Sequence, residues 1–237
     1  MSKPLNAGDS YNSPANTALL SLIDWHEVQH VLDLGAGSGS NLCFIKTLNP
    51  TIEAIGVTCS EQEANLQRAN GLISAIANLD GQDTGDSKQP AADNSQDVVI
   101  LSHVIEHLSN PAKALALTRK LLKPGGRALI AVPNIANWRF RLKLAAGKFN
   151  YEDAGTMDRS HLRFYTHHSI ANECRKQLPE FECLAHYGNG GLMLGPMRSW
   201  LPKRATEQLD HWALKATPNL IAYETFLLLQ KPAYTES

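Results

Sequence analysis

The sequence predicts an α/β domain built on a doubly wound, mostly parallel sheet. Three observations carry that prediction. An apolar strand at 31–34 runs straight into a glycine-rich turn and then a helix, as VLDLGAGSGSN. Beyond it, short runs rich in Val, Ile and Leu alternate with helix-period segments, the pattern of a parallel sheet covered on both faces. After Pro133 the regularity stops, and 134–165 is long, aromatic and basic. An insert of that length in a compact α/β domain is usually a functional lid.

Each element has a local reason. Residues 16–25 read as a helix leading into the first strand. The helix after the glycine turn covers 41–48, with Pro50 past its end. A second strand follows at 52–57. Ser60 then holds an N-cap position, with Glu61 and Glu63 in the first turn of a helix to about Ala69. A third strand ends near Asp80, and 81–95, rich in Gly, Asp and Ser, is a loop. Residues 97–101 form a buried strand. The helix over 111–122 stops at Lys123-Pro124-Gly125-Gly126, a turn signal, and a strand follows at 127–132. Past the insert, Thr166 caps a helix over 166–178, and 181–187 and 220–230 are the last two strands. The whole chain reads as a single domain. Residues 1–29 are an N-terminal helical cover, 134–165 the lid and 197–216 a helical insertion before the last strand.

Composition narrows the function. Lys plus Arg number 22 against 23 for Asp plus Glu, a net charge of −1, so no global attraction draws nucleic acid. Cys43, Cys59, Cys174 and Cys183 have no metal-type spacing and read as reduced thiols of a cytoplasmic protein. The first residues lack the apolar core of a signal peptide, and no apolar run is long enough to insert stably in a membrane.

The glycine turn decides the ligand class. A dinucleotide fingerprint is G-x-G-x-x-G with a diphosphate on the helix N-terminus. Here Gly35, Gly37 and Gly39 alternate, with Ala36 between the first two, and Asp33 stands at the strand end. A cationic amine would want that carboxylate, and a pyrophosphate would not. D-x-G-x-G-x-G after an apolar strand resembles motif I of the class I S-adenosylmethionine-dependent methyltransferases. SQDVVILSHVIEHL and LLKPGGRALIAVPN resemble the fourth strand and the helix, turn and fifth strand of that family, the Val-Ile-Glu-His-Leu being similar to quinone-type O-methyltransferases. NYEDAGTMDRSHLRFYT is similar to a segment of bacterial polysaccharide and natural-product-cluster methyltransferases. The resemblance covers nearly all of 31–166. It implies a Rossmann-like, seven-stranded sheet with an antiparallel last strand, S-adenosylmethionine as cofactor, and an acceptor that is a small molecule or glycan, in one reading anionic. A homodimer is compatible with it.

It also implies roles. Asp33 and the turn Gly35, Ala36, Gly37 and Gly39 would take the methionine end of the cofactor. The ribose acid expected after Gly56-Val57 is replaced by Thr58. GVTCSEQE is similar to the G-V-T-x-S-x-x-Q form of cyclopropane fatty acid synthases, so Thr58, Cys59 and Ser60 line that end, with Ser60 and Gln62 as ribose candidates. Asp80 fits the acid that meets adenine. Asp86, in a loop similar to G-D-x-x-x-P, is its rival. Ser102 closes the fourth strand.

Methyl transfer asks a protein to position a nucleophile and, for a hydroxyl, to remove its proton. The carboxyl ends of the strands place His103 and Asn134 on the pocket floor, with Tyr151, Asp158, His161, Arg163 and Tyr165 over it. His161 is the expected general base, since neutral imidazole accepts a proton near pH 7. Asp158 would orient it or hold a substrate hydroxyl. The rival is that Asp158, Arg159, His161 and Arg163 only brace the lid. His103, Glu106 and His107 spell H-x-x-E-H, but the fold of a metalloprotease is missing. Glu106 and His107 are expected to brace a turn, with no metal. In WRFRLKLAAGK, Trp138, Leu142, Ala145 and Phe149 share a helical face, for which packing on the domain is expected and contact with an anionic substrate is the alternative. The reading is O-methylation by in-line transfer. N-methylation, a metal-assisted phenol or quinone O-methyltransferase, and a cofactor-binding protein without catalysis are the alternatives.

Overall fold

Successive residues of each strand point to opposite faces, and here both faces are apolar. The structure is a computed structural model that describes residues 13–80, 89–192 and 202–233. Its strands are β1 (His30–Leu34), β2 (Glu53–Thr58), β3 (Ile73–Ile76), β4 (Gln96–Ser102), β5 (Leu122–Pro133), β6 (Glu182–Gly190) and β7 (Ala222–Gln230). They form one seven-stranded sheet in the order β3-β2-β1-β4-β5-β7-β6. The first five run parallel, and β7 lies antiparallel between β5 and β6. The α-helices are α1 (Thr17–Leu20), α2 (Ser40–Leu48), α3 (Glu61–Ala69), α4 (Pro111–Leu121), α5 (Trp138–Ala145), α6 (His167–Gln177), α7 (Lys203–Ala216) and α8 (Pro218–Ile221).

Leu32, Leu34, Val99, Leu101, Ile130 and Val132 face one layer, where Leu115 of α4 and Ile170 of α6 meet them. Their neighbours Val31, Val98, Ile100, Leu129, Ala131 and Phe226 face the other, against Leu19 of α1 and Leu42 and Ile45 of α2. This two-sided burial is why the strands read as continuous apolar runs. It also forces every polar group of consequence to the strand ends.

Several boundaries differ from the sequence reading. The expected 16–25 helix is one turn, α1, followed by a 3₁₀ turn at Trp25–Glu27. Asn16 caps α1 at the start, and the Trp25 indole N–H donates to Leu20 O at 2.8 Å, which folds the chain back rather than extending it. The Lys123–Gly126 turn is absorbed into β5 as an irregularity, where the register shifts between Gln96 and Val98 and Gly125 has φ +78°. The 197–216 insertion appears as α7; residues 197–201, like 1–12 of the N-terminal cover, lie outside the described residues. No helix among the described residues is long and apolar enough to cross a membrane.

The α5 helix departs most from expectation. It contains no buried residue, and Leu142, Leu144 and, just beyond it, Phe149 are 60%, 61% and 50% exposed. Packing on the domain is therefore not its use. Its start is fixed instead by Asn137, whose side chain caps Arg139 N–H and donates to the carbonyls of Ile221 and Ala222.

Phe226 fills the centre of the second face with no solvent exposure, edge-on to Tyr187. Phe226→Ala is expected to lower unfolding free energy by about 3–5 kcal/mol, read from urea unfolding of the two proteins.

Candidate active site

β1 ends in a turn that only glycine tolerates. Gly35, Gly37 and Gly39 have φ of +81°, +52° and +88°. A Cβ on Gly35 would collide with Val104, and one on Gly39 would lie 2.6 Å from Leu72. Gly35 and Ala36 donate their N–H groups to Val57 O, which binds the turn to β2. Gln67 of α3, fully buried, donates to Gly37 O at 2.7 Å. Gly56 is the position that lets this side chain through, because a Cβ there would strike the Gln67 amide.

Asp33 stands below that turn at 1% exposure. Asn41 Nδ2 donates to its Oδ2 at 3.1 Å, and Oδ1 has no hydrogen-bond partner. Burial pushes its carboxyl up to about 7, against the smaller opposing pull of Asn41. Such an oxygen is costly unless a donor or a cation meets it.

At the end of β2, Thr58 does not work alone. Its hydroxyl donates to the carboxylate of Glu63, and Ser60 N–H donates to Thr58 Oγ1 at 3.1 Å. Ser60 Oγ caps α3 through Glu63 N–H. Gln62 is exposed and Glu63 is buried, so the residue beside Thr58 is Glu63 and not Gln62. Cys59 is exposed next to it. Asp80 lies past β3 and accepts from Ser109 N–H at 2.7 Å and Asn110 N–H at 3.1 Å, directly before α4. Burial would raise its carboxyl, but these donors and Lys113 outweigh that and hold it low. Its rival Asp86 lies outside the described residues.

Ser102 ends β4, half-buried, and His103 follows it with φ +56°, a strained backbone for a non-glycine residue. His103 Nδ1 is 3.3 Å from Glu106 Oε1, and Nε2 is 3.8 Å from Glu224 Oε1 of β7. Burial would lower its pKa, but the two carboxylates dominate and raise it to about 10. His103 is thus an imidazolium at neutral pH, which removes it as a general base.

The lid is fastened to the turn after β4. Leu162 and Arg163 donate their N–H groups to Glu106 O at 2.9 and 3.0 Å, and the Arg163 guanidinium donates to the carbonyls of Leu108 and Ser109. His161, 8% exposed, has Nδ1 3.0 Å from Thr156 O and its ring edge-on to His107 at 4.7 Å. Asp158 O accepts the backbone N–H of His161 at 3.0 Å. Its carboxylate accepts from Ser160 N–H and Oγ, and Ser160 in turn faces His107 Nδ1. Asn134 and Tyr165 are buried and structural: Asn134 donates to Asn219 O and Ala222 O, and Tyr165 joins the apolar core. Arg159 pairs with Asp153 in solvent, and Tyr151 is exposed against Phe149.

The sequence pattern of the family described as Methyltransferase domain matches residues 13–177, more than half of the chain. The chain belongs to that methyltransferase family. Solved structures agree on the fold. A methyltransferase from Archaeoglobus fulgidus matches with TM-score 0.61 at 17% identity, over 91% of this chain and 92% of that one. One from Thermotoga maritima, described as a possible histamine N-methyltransferase, gives 0.60 at 19%, over 91% and 86%. An uncharacterized 37.1 kDa protein of transposon TN4556 from Streptomyces fradiae is 31% identical over 132 residues. That match spans 54% of this chain and 36% of that protein.

S-adenosylmethionine is the cofactor of this methyltransferase family, and the residues present fit it. The buried, unpartnered Asp33 Oδ1 suits an ammonium group, and the positive-φ glycines clear side chains from the turn above it. Sequence reasoning missed Glu63, Glu224, Asn16 and Asn41. Asn16 N–H donates to Asn41 Oδ1 at 2.9 Å, and Asn16 Nδ2 to Glu224 Oε2 at 3.4 Å, so a polar run joins Asp33 to His103. Glu63 had a signal, being the acid five residues after Thr58 on an inward helix position. Glu224 had none, because its strand comes from the far end of the chain.

A cationic amine binds the carboxylate form of Asp33, whose carboxyl is near half-protonated at pH 7 in the unliganded protein. Cofactor affinity should therefore rise as pH climbs to about 7 and level off above it, with proton release on binding below that point. Calorimetry in buffers of different ionisation enthalpy reads both effects, and Asp33→Asn should show neither.

Proposed function

We propose that this methyltransferase moves the methyl group of S-adenosylmethionine to an oxygen of a small molecule or glycan held beneath the 134–165 lid. The observation that carries the reading is Asp33, buried with one oxygen unsatisfied below a glycine turn, on the same polar run as the lid turn. The bound cofactor supplies an electrophilic methyl on a sulfonium. The chain's own tasks are to orient both partners and to accept a proton.

Asp33 holds the ammonium end, and Gly35, Ala36, Gly37 and Gly39 form the wall beside it. At the ribose end the diol would be taken by the Glu63 carboxylate, with Thr58 and Ser60 placing it. Cys59 and Ser102 border that pocket, and Asp80 takes the adenine side. His161 accepts the acceptor's proton. Its Nδ1 is committed to a carbonyl, so that nitrogen carries the hydrogen and Nε2 is the basic one. Asp158 supports the reaction through Ser160 and His107 and through its carbonyl, which accepts the backbone N–H of His161. The exposed Leu142, Leu144 and Phe149, interleaved with Arg141, Lys143 and Lys148, favour an acceptor that is anionic and carries an apolar portion.

His161→Ala should lower kcat by about 10²–10⁴-fold while leaving cofactor affinity unchanged. Turnover close to wild type at saturating substrate would remove His161 as the base. Glu63→Gln should weaken cofactor binding roughly tenfold, the scale of one hydrogen bond to a charged group. An unchanged dissociation constant would place the diol elsewhere.

A further inference from the structure

One cluster under the lid has more built into it than a brace or a base needs. Glu106 and His107 come from the turn after β4 and His161 from the lid. One ligand-type atom from each lies within 4.8 Å of the other two. Glu106 is 1% exposed. Its Oε1 meets His103, and its Oε2 is buried with no hydrogen-bond partner. A carboxylate oxygen in that state costs free energy until a cation or a donor reaches it.

The two imidazoles are held from behind. His161 Nδ1 lies 3.0 Å from Thr156 O. His107 Nδ1 lies 3.3 Å from Ser160 O and 3.1 Å from Ser160 Oγ, whose own proton goes to Asp158 Oδ1 at 2.6 Å. Carbonyl oxygens only accept, so each Nδ1 carries the hydrogen and Nε2 is the ligating nitrogen. Metal-binding histidines are oriented in this way, by a carbonyl or carboxylate behind the ring.

We propose that Glu106, His107 and His161 bind a divalent transition-metal ion of the zinc class. Two neutral imidazoles and one carboxylate form a borderline donor set, suited to Zn²⁺ or Co²⁺ and poorly to Mg²⁺ or Ca²⁺, which take oxygen. Three protein ligands leave a fourth position for water or an acceptor oxygen, whose pKa the ion would lower. Tetrahedral ligands at about 2.1 Å sit roughly 3.4 Å apart, so the cluster contracts on binding and draws His161 of the lid toward the turn. With the ion bound, His161 Nε2 is a ligand and the ion takes over activation of the hydroxyl. The site stands on the cluster's geometry and does not depend on which acceptor is methylated.

The test uses tag-free full-length protein, stripped with chelator and then titrated. Zn²⁺ should bind at one equivalent by calorimetry, with a dissociation constant in the micromolar range or below and a rise in melting temperature. Co²⁺ should give the intense visible absorption of a four-coordinate site. His161→Ala and Glu106→Gln should abolish both signals, and Ser160→Ala should weaken Zn²⁺ binding by roughly 10–100-fold. Cofactor binding by each variant checks that it is folded, and if the ligand variants fail that check, Ser160→Ala and the wild-type Co²⁺ spectrum decide. No stoichiometric binding, or affinity unchanged across the variants, overturns the ion and leaves methyl transfer standing. Metal binding without turnover on any acceptor would do the reverse.

Discussion

Glu106 holds the two halves of the site together. Its carbonyl accepts from two successive lid amides, Leu162 and Arg163, and its carboxylate meets His103 at the end of β4. Both lone pairs of the carbonyl are thereby used, which fixes the lid chain in direction as well as position. The same short turn is gripped from the other side, where Asp80 takes the amides of Ser109 and Asn110 and Arg163 takes the carbonyls of Leu108 and Ser109. A segment whose residues are all exposed over 141–155 is therefore rooted in one of the most buried polar groups among the described residues.

The cofactor end and the lid end share one polar run. Asp33, Asn41, Asn16, Glu224, His103 and Glu106 follow one another through hydrogen bonds and ion pairs, drawn from β1, α2, the start of α1, β7 and the turn after β4. An apolar sheet leaves such groups only the strand ends, and there they stabilise one another in a low dielectric. The imidazolium of His103 is the positive member among carboxylates. Its ion pairs hold full strength below about pH 6.5 and are lost as pH rises through about 10, the direction set by a raised histidine pKa.

The fold was legible because two-sided burial writes itself as apolar runs, and the glycine turn because positive φ demands glycine. Asp33 was legible because a carboxylate at a strand end is rare without a ligand. What sequence could not give were contacts made between distant segments. Nothing local tells that Glu224 would face His103, or that Asn16 would bridge it to Asn41. Spacing put Asp158 near His161, and its carbonyl does accept the His161 N–H; that its carboxylate also takes the Ser160 N–H and hydroxyl was not legible, because spacing does not encode side-chain direction. The α5 face was misread because its pattern is that of a packed helix, while among the described residues nothing covers Leu142 or Leu144.

The place of β7 has a consequence for how the chain is made. β5 pairs with β4 on one side and with β7 on the other, as in Leu129 with Leu228, and β6 has β7 as its neighbour. Synthesis delivers residues 222–230 after the other six strands of the sheet. Until then the growing chain carries an unpaired β5 edge and a β6 without a partner, both able to take up a foreign strand. Even a chain whose glycine turn has already formed must protect two open edges until β7 arrives to pair with them.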